Sequence, residues 1–139
     1  MAKMLGLEAV LDRLARIPIE VRKAVEAQVQ KEADDLVAAE KRAAPVSELE
    51  DHPGQLRDSI EAYPSPSNPL RRRIIVGARD SKGRLFGSYV EFGHTSPDGS
   101  YTPASPFFFP TYRARRKGIR RRIAGAATKA LRVSFPKVT

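Results

Sequence analysis

Within one ten-residue stretch the sequence gathers Arg113, Arg115, Arg116, Lys117, Arg120, Arg121 and Arg122. Guanidinium groups at this density offer charge-assisted, often bidentate hydrogen bonds to phosphate or carboxylate oxygens. The run therefore reads either as a surface for nucleic-acid phosphates or as a solvated helix face that meets an acidic neighbour. Base-reading residues and a groove-fitting motif are both missing around it, so the residues leave both readings open.

The other chemistry-bearing residues form no constellation. His52 and His94 lie in unrelated loops with no second ligand at a metal-binding spacing. Gly77, Gly83 and Gly87 punctuate turns and lack the lysine and the strand-loop-helix order of a phosphate cradle. None of the serines sits in a nucleophile elbow. Asp34 and Asp35 are adjacent on a helix and point to different faces, so they make no acid/base pair. A non-enzymatic protein with no metal or cofactor is expected.

Charge distribution says more than its sum. Of a net charge of +9, residues 1–98 contribute almost nothing, with 15 basic and 16 acidic side chains, whereas residues 99–139 hold 10 basic and no acidic ones. Such a segment favours an anionic partner. At 139 residues the length suits a single domain over 1–139, and 41% hydrophobic with 29% charged residues suits a folded chain. The chain has no cysteine, and nothing points to an oxidising compartment. No apolar run approaches the ~20 residues of a membrane span and Met1 to Ala15 lacks a cleavable leader pattern, so no membrane partner is expected; the bacterial cytoplasm fits.

Three blocks must position these residues. An N-terminal helical segment (1–44) reads as two helices, Leu5 to Arg16 and Ile19 to Ala43, divided at Pro18. In the second, Val21, Val25, Val29, Ala33, Leu36, Val37 and Glu40 recur at helical spacing. This Val/Ala stripe needs a partner, in the same chain or another. Ala44-Pro45 ends it, and Val46 to Gly54, with Glu48, Glu50 and Asp51, reads as an acidic surface loop.

A sheet block (54–93) follows. A period of two from Leu56 to Tyr63 suggests a strand, Pro64 to Pro69 a loop, Arg72 to Ala78 a second strand, and Phe86 to Phe92 a third strand or one helical turn, with strand favoured. His94 to Ser105 reads as a loop. The last block (106–134) is a basic helix from Thr111 to Val133, introduced by Pro106 and Pro110. The fold class is therefore α+β: a long N-terminal helix, a small antiparallel sheet and a basic C-terminal helix. Phe107, Phe108 and Phe109 cannot all point inward, so at least one is expected at a contact between subunits.

Four fragments stand in an order that a known family shares: Ala43-Ala44-Pro45-Val46, Gly54-Gln55-Leu56-Arg57-Asp58-Ser59-Ile60, Tyr89-Val90-Glu91-Phe92-Gly93 and Pro106-Phe107-Phe108-Phe109-Pro110. In this the chain resembles the tail-completion or neck proteins of long-tailed bacteriophages, a family that includes the minor tail protein Z type and a tail-component family named after a Hong Kong coliphage, and that also occurs in prophages and gene transfer agents. His94 stands where that family usually has threonine, and the loop from Thr95 to Thr102 looks elongated.

The resemblance implies a virion subunit of the head-tail connector that assembles in the host cytoplasm. It would form a homo-oligomeric ring, sixfold in expectation, around a channel that carries dsDNA. Its partners would be other neck and tail proteins such as a connector or stopper and the tail tube. Two different surfaces are needed for a ring, and Glu91, Phe92, Phe107, Phe108, Phe109, Val25 and Val29 are the candidate interface residues. Glu91 is either an outward strand residue, an acceptor for nearby backbone amides, or the partner of an arginine across a subunit boundary. The rival reading is a free nucleic-acid-binding protein that uses its basic helix. Charge reversal at Arg120, Arg121 and Arg122 is expected to block head-tail joining and spare the fold.

Overall fold

A computed structural model describes residues 7–46 and 54–134. Helix α1 (Leu7–Ala43) is one continuous rod, about 55 Å long at 1.5 Å per residue. The expected break at Pro18 does not occur: the proline lies inside the helix. Its missing amide leaves the Leu14 carbonyl without a helical donor. Pro18 is solvent-exposed, so the cost of that unmet carbonyl is small on a face open to water. The helix ends where expected, at Ala44-Pro45, and most of the acidic loop expected over Val46–Gly54, with His52, lies outside the described residues.

The strand expected from Leu56 begins four residues later. Gly54, at φ 81°, turns the chain into a single helical turn, α2 (Gln55–Asp58), which the Ser59 hydroxyl closes by donating to the Leu56 carbonyl at 2.7 Å. Leu56 and Ile60 are four apart and both buried, a spacing that a turn of helix satisfies as well as a strand. Strand β1 (Ile60–Ser65) then pairs antiparallel with β2 (Asn68–Val76), with Ile60 opposite Val76 and Ala62 opposite Ile74. The Pro64 to Pro69 stretch is thus largely strand and hairpin turn, not loop. Its prolines are tolerated because the sheet is two-stranded and the register slips between Pro64 and Ser65.

Phe86 to Phe92, expected as strand, is the short helix α3 (Gly87–Phe92). The buried positions decide it: Gly87 and Glu91 are four apart and both enclosed, while Phe92 stays 66% exposed. Gly93 leaves α3 at φ +75°, and a Cβ there would stand 2.8 Å from both the Ala104 amide and the Thr102 carbonyl, so only glycine fits. The expected loop after it contains a two-residue hairpin, β3 (His94–Thr95) with β4 (Tyr101–Thr102). Helix α4 (Phe108–Ser134) closes the described chain.

The core joins all three blocks. Ala44, Leu56, Ile60, Ala78 and Phe107 are buried together, with Val37, Ile74, Val76, Phe86, Val90 and Phe108 packed around them. Helix α4 runs antiparallel along α1, so the partner of the Val/Ala stripe lies in the same chain. At one end the Ser134 hydroxyl donates to Glu20 at 3.0 Å. Midway Arg122 forks onto Glu32, Nε to Oε1 at 2.6 Å and Nη2 to Oε2 at 2.9 Å.

Glu32 is only 3% exposed although Arg122 is half exposed, so one end of this ion pair is desolvated. The Arg122 hydrogen bonds hold the Glu32 carboxyl below its ordinary range, which stabilises the fold above about pH 4.5 and ceases to do so as the pH falls through the lowered value. Arg122→Ala should therefore lower the urea midpoint at pH 7, because it leaves the buried Glu32 carboxylate without its partner, and Arg121→Ala next to it should leave the midpoint almost unchanged.

Candidate functional site

Two features stand out on the finished fold: the cationic face of α4 and the aromatic end where α4 begins. At 100° per residue, Arg113, Arg116, Lys117, Arg120 and Arg121 fall within an arc of about 140°, and all are exposed. Arg115 and Arg122 point the other way, toward α1. Arg122 takes Glu32, and Arg115 lies near enough to Glu40 to favour its ionised form. The seven-membered basic run thus divides into five outward cations and two that serve the helix pair. That division removes Arg122 from any charge reversal meant to spare the fold.

At the other feature, Glu91 is 5% exposed and accepts three backbone amides: Phe107 at 2.8 Å and Phe108 at 3.0 Å on Oε2, and Phe109 at 3.0 Å on Oε1. These belong to the opening of α4, whose first turn has no acidic residue of its own. A carboxylate from α3 therefore supplies both the cap and the negative charge that a helix N-terminus favours. Of the sequence-level readings of Glu91, this is the acceptor of nearby amides, within its own chain; the outward strand position is excluded. It also starts α4 at Phe108, ahead of the expected Thr111. Pro110 costs nothing there, because amides of the first turn have no helical acceptor.

The three phenylalanines separate by depth. Phe107 is buried at 3%, Phe108 is half-buried, and Phe109 is 41% exposed. Phe109 stacks on the exposed Phe92 with ring centroids 5.9 Å apart. Together with Ile75, Leu85 and Ser88 they rim an open groove of about 390 Å³ floored by Ile74, Val76, Gly87, Glu91 and Phe107. Val25 and Val29 lie elsewhere: both are half-buried on α1, and Val29 faces Ile119 and Ile123 of α4 across a second, shallower recess.

Glu40 is the residue that sequence reasoning placed on the apolar stripe without giving it a role. It is fully buried and neither carboxyl oxygen has a hydrogen-bond partner. Burial, then the nearby Glu91 charge, push it up to about 8, with Arg115 acting in the opposite sense. Glu40 therefore stays protonated at neutral pH, beside an anion committed to the start of α4. Its spacing of eight residues from Glu32 was the available signal, since both positions then share the face that meets α4.

His94 stacks on Tyr89 with centroids 5.1 Å apart, and its Nδ1 is buried without a partner. The neighbouring Asp80 is occupied by the Lys82 and Arg84 amides and the Arg84 guanidinium. Among the described residues no group of three or more His, Cys, Asp or Glu side chains could hold a metal ion. No helix among them is long and apolar enough to cross a membrane.

Glu91→Ala should strand three amides and destabilise the protein by about 2–4 kcal/mol, seen as a lower urea midpoint with loss of helical circular dichroism. For Glu40 the sign is opposite to that of Glu32. The folded protein keeps the Glu40 proton up to about pH 8 whereas the unfolded chain releases it near 4.5, so the folded state holds more protons between these values and stability falls as pH rises. Glu40→Gln should flatten this decline, which amounts to a few kcal/mol across the window; an unchanged pH profile of the urea midpoint would refute the assignment.

Comparison with known proteins adds one match. A family model described as "Bacteriophage HK97-gp10, putative tail-component" matches residues 7–93, the span from the start of α1 to the glycine that ends α3. No curated protein and no solved structure matches.

Proposed function

The chain belongs to this phage tail-component family, and on that premise we propose that it is a structural subunit of the neck, completing the tail and joining it to the head. In this reading it acts as a homo-oligomeric ring, sixfold in expectation, around the channel that carries dsDNA. Its partners are the connector or stopper on one side and the tail tube on the other. A phage tail component is a part of the virion; the position at the head-tail junction is the proposal.

The observation that carries it is the outward arc of Arg113, Arg116, Lys117, Arg120 and Arg121. No described acidic side chain pairs with any of these five. A cationic band held on a rigid helix, without base-reading residues, suits a sequence-independent anionic surface, either DNA phosphates or the acidic face of a neighbouring neck protein. The role is one of shape and charge, and no catalytic step is assigned.

The same arc supports the second reading, a free nucleic-acid-binding protein. That reading requires a monomer whose DNA affinity falls by roughly 0.9 log units per log unit of salt for each phosphate neutralised.

Reversing Arg116, Lys117, Arg120 and Arg121 to glutamate, with Arg122 left in place, should yield heads and tails that fail to join, while urea denaturation of the purified variant stays close to the parent. Electron microscopy of the resulting particles reads the outcome. Normally joined particles would refute the role of the arc. Density for the chain elsewhere than the head-tail junction would refute its place in the neck.

A further inference from the structure

The two ends of the molecule carry complementary unfilled features. Ser134, at the described end of α4, meets α1 at Glu20, so Leu7 to Ile19 extend as an arm of roughly 20 Å beyond the described residues of α4. Every described side chain from Leu11 to Glu20 is exposed. Leu11, Ala15 and Ile19 recur at intervals of four and form one apolar ridge, with Leu11 55% and Ile19 56% exposed. The Phe92-Phe109 groove lies at the opposite end, beside Glu91 and Glu40. That places it about 40 Å away along α1.

We propose that the Leu11-Ala15-Ile19 arm of one copy docks in the groove of the next, the two being the paired halves of a head-to-tail contact. This rests on the oligomeric reading above and names the surfaces it uses. Arm and groove are different surfaces at opposite ends, so the contact can repeat head to tail, closing into a ring or running on as a filament, where two antiparallel copies would instead make it reciprocally and stop at a dimer.

Charge favours a second copy as the occupant. The ridge next to the apolar one carries Asp12, Arg16 and Glu20, an excess of one negative charge, and the groove is flanked by exposed Arg73, two residues from Ile75, and Arg113, one turn from Phe109. Neither arginine is in an ion pair among the described residues.

Area favours more than one such contact per copy. A 20 Å helical segment seated along one face buries on the order of 800 Å² in total, less than the ~1,200 Å² of a stable pairwise complex. The contact therefore holds best where each copy makes it twice, once through its arm and once through its groove, as a closed ring or a reciprocal pair allows.

The native chain has no cysteine, so disulfide trapping reads the contact directly. Full-length Leu11→Cys and Phe92→Cys variants, mixed and oxidised, should give a cross-linked dimer containing one of each. Adding Ile19→Glu to the Leu11→Cys chain should reduce its yield about tenfold or more, since a carboxylate would enter an apolar groove, with the circular dichroism unchanged. Cross-linking only of Phe92→Cys with itself, only of Leu11→Cys with itself, or of neither would overturn the proposal. Chains found at the head-tail junction without the mixed cross-link would sink the arm-groove contact and leave the neck assignment standing; the mixed cross-link in chains absent from that junction would do the reverse.

Discussion

The Glu91 carboxylate is the contact on which the arrangement of the molecule depends. It brings together α3, which supplies the anion, and α4, which supplies three amides that would otherwise have no acceptor. Fixing that point fixes the direction in which α4 leaves the sheet, and so which of its faces meets α1. Where the helix starts sets which side of α4 carries the five outward cations and which side carries Arg115 and Arg122, both exposed yet close enough to α1 to act on Glu40 and Glu32. Phe107 enters the core and Phe109 the rim of the groove for the same reason.

Along α1, Glu32 and Glu40 occupy the same face and behave as opposites. Both are cut off from solvent, yet Glu32 has a bidentate guanidinium and is held ionised, whereas Glu40 has no hydrogen-bond partner and is held neutral. The difference follows from what faces each one. Glu40 looks toward Glu91, whose charge is already committed to the helix start, and a second anion there would act against the first. The helix pair is thus fastened by charge at its middle and by burial at its sheet end.

The sequence was most legible where periodicity and breakers agree: the stripe of α1, its stop at Ala44-Pro45, the α+β order and the three ordered fragments that fall within the residues the tail-component family matches. It misled where a spacing of four serves two geometries, as with Leu56 and Ile60, or where a proline lies on a wet face, as with Pro18. The strand expected at Phe86 to Phe92 failed because Gly87 and Glu91, neither an apolar marker, are the buried positions. The tertiary contacts were the least legible part. The Arg122-Glu32 pair spans 90 residues, and no local pattern separates Arg122 from Arg121. That three adjacent phenylalanines differ in depth was legible from their adjacency: one ring is buried, one half-buried and one exposed.

That same 90-residue separation has a consequence during synthesis. Helix α1 leaves the ribosome complete while its partner is still untranslated, and at 5–20 residues per second it waits roughly 5 to 20 seconds for α4 to arrive. Throughout that interval its Val/Ala stripe has no intramolecular cover, and nascent chains on neighbouring ribosomes present the same stripe. The charged residues that interrupt it, Glu32 and Glu40, then act as a solubility device, ionised in water until α4 and the sheet enclose them.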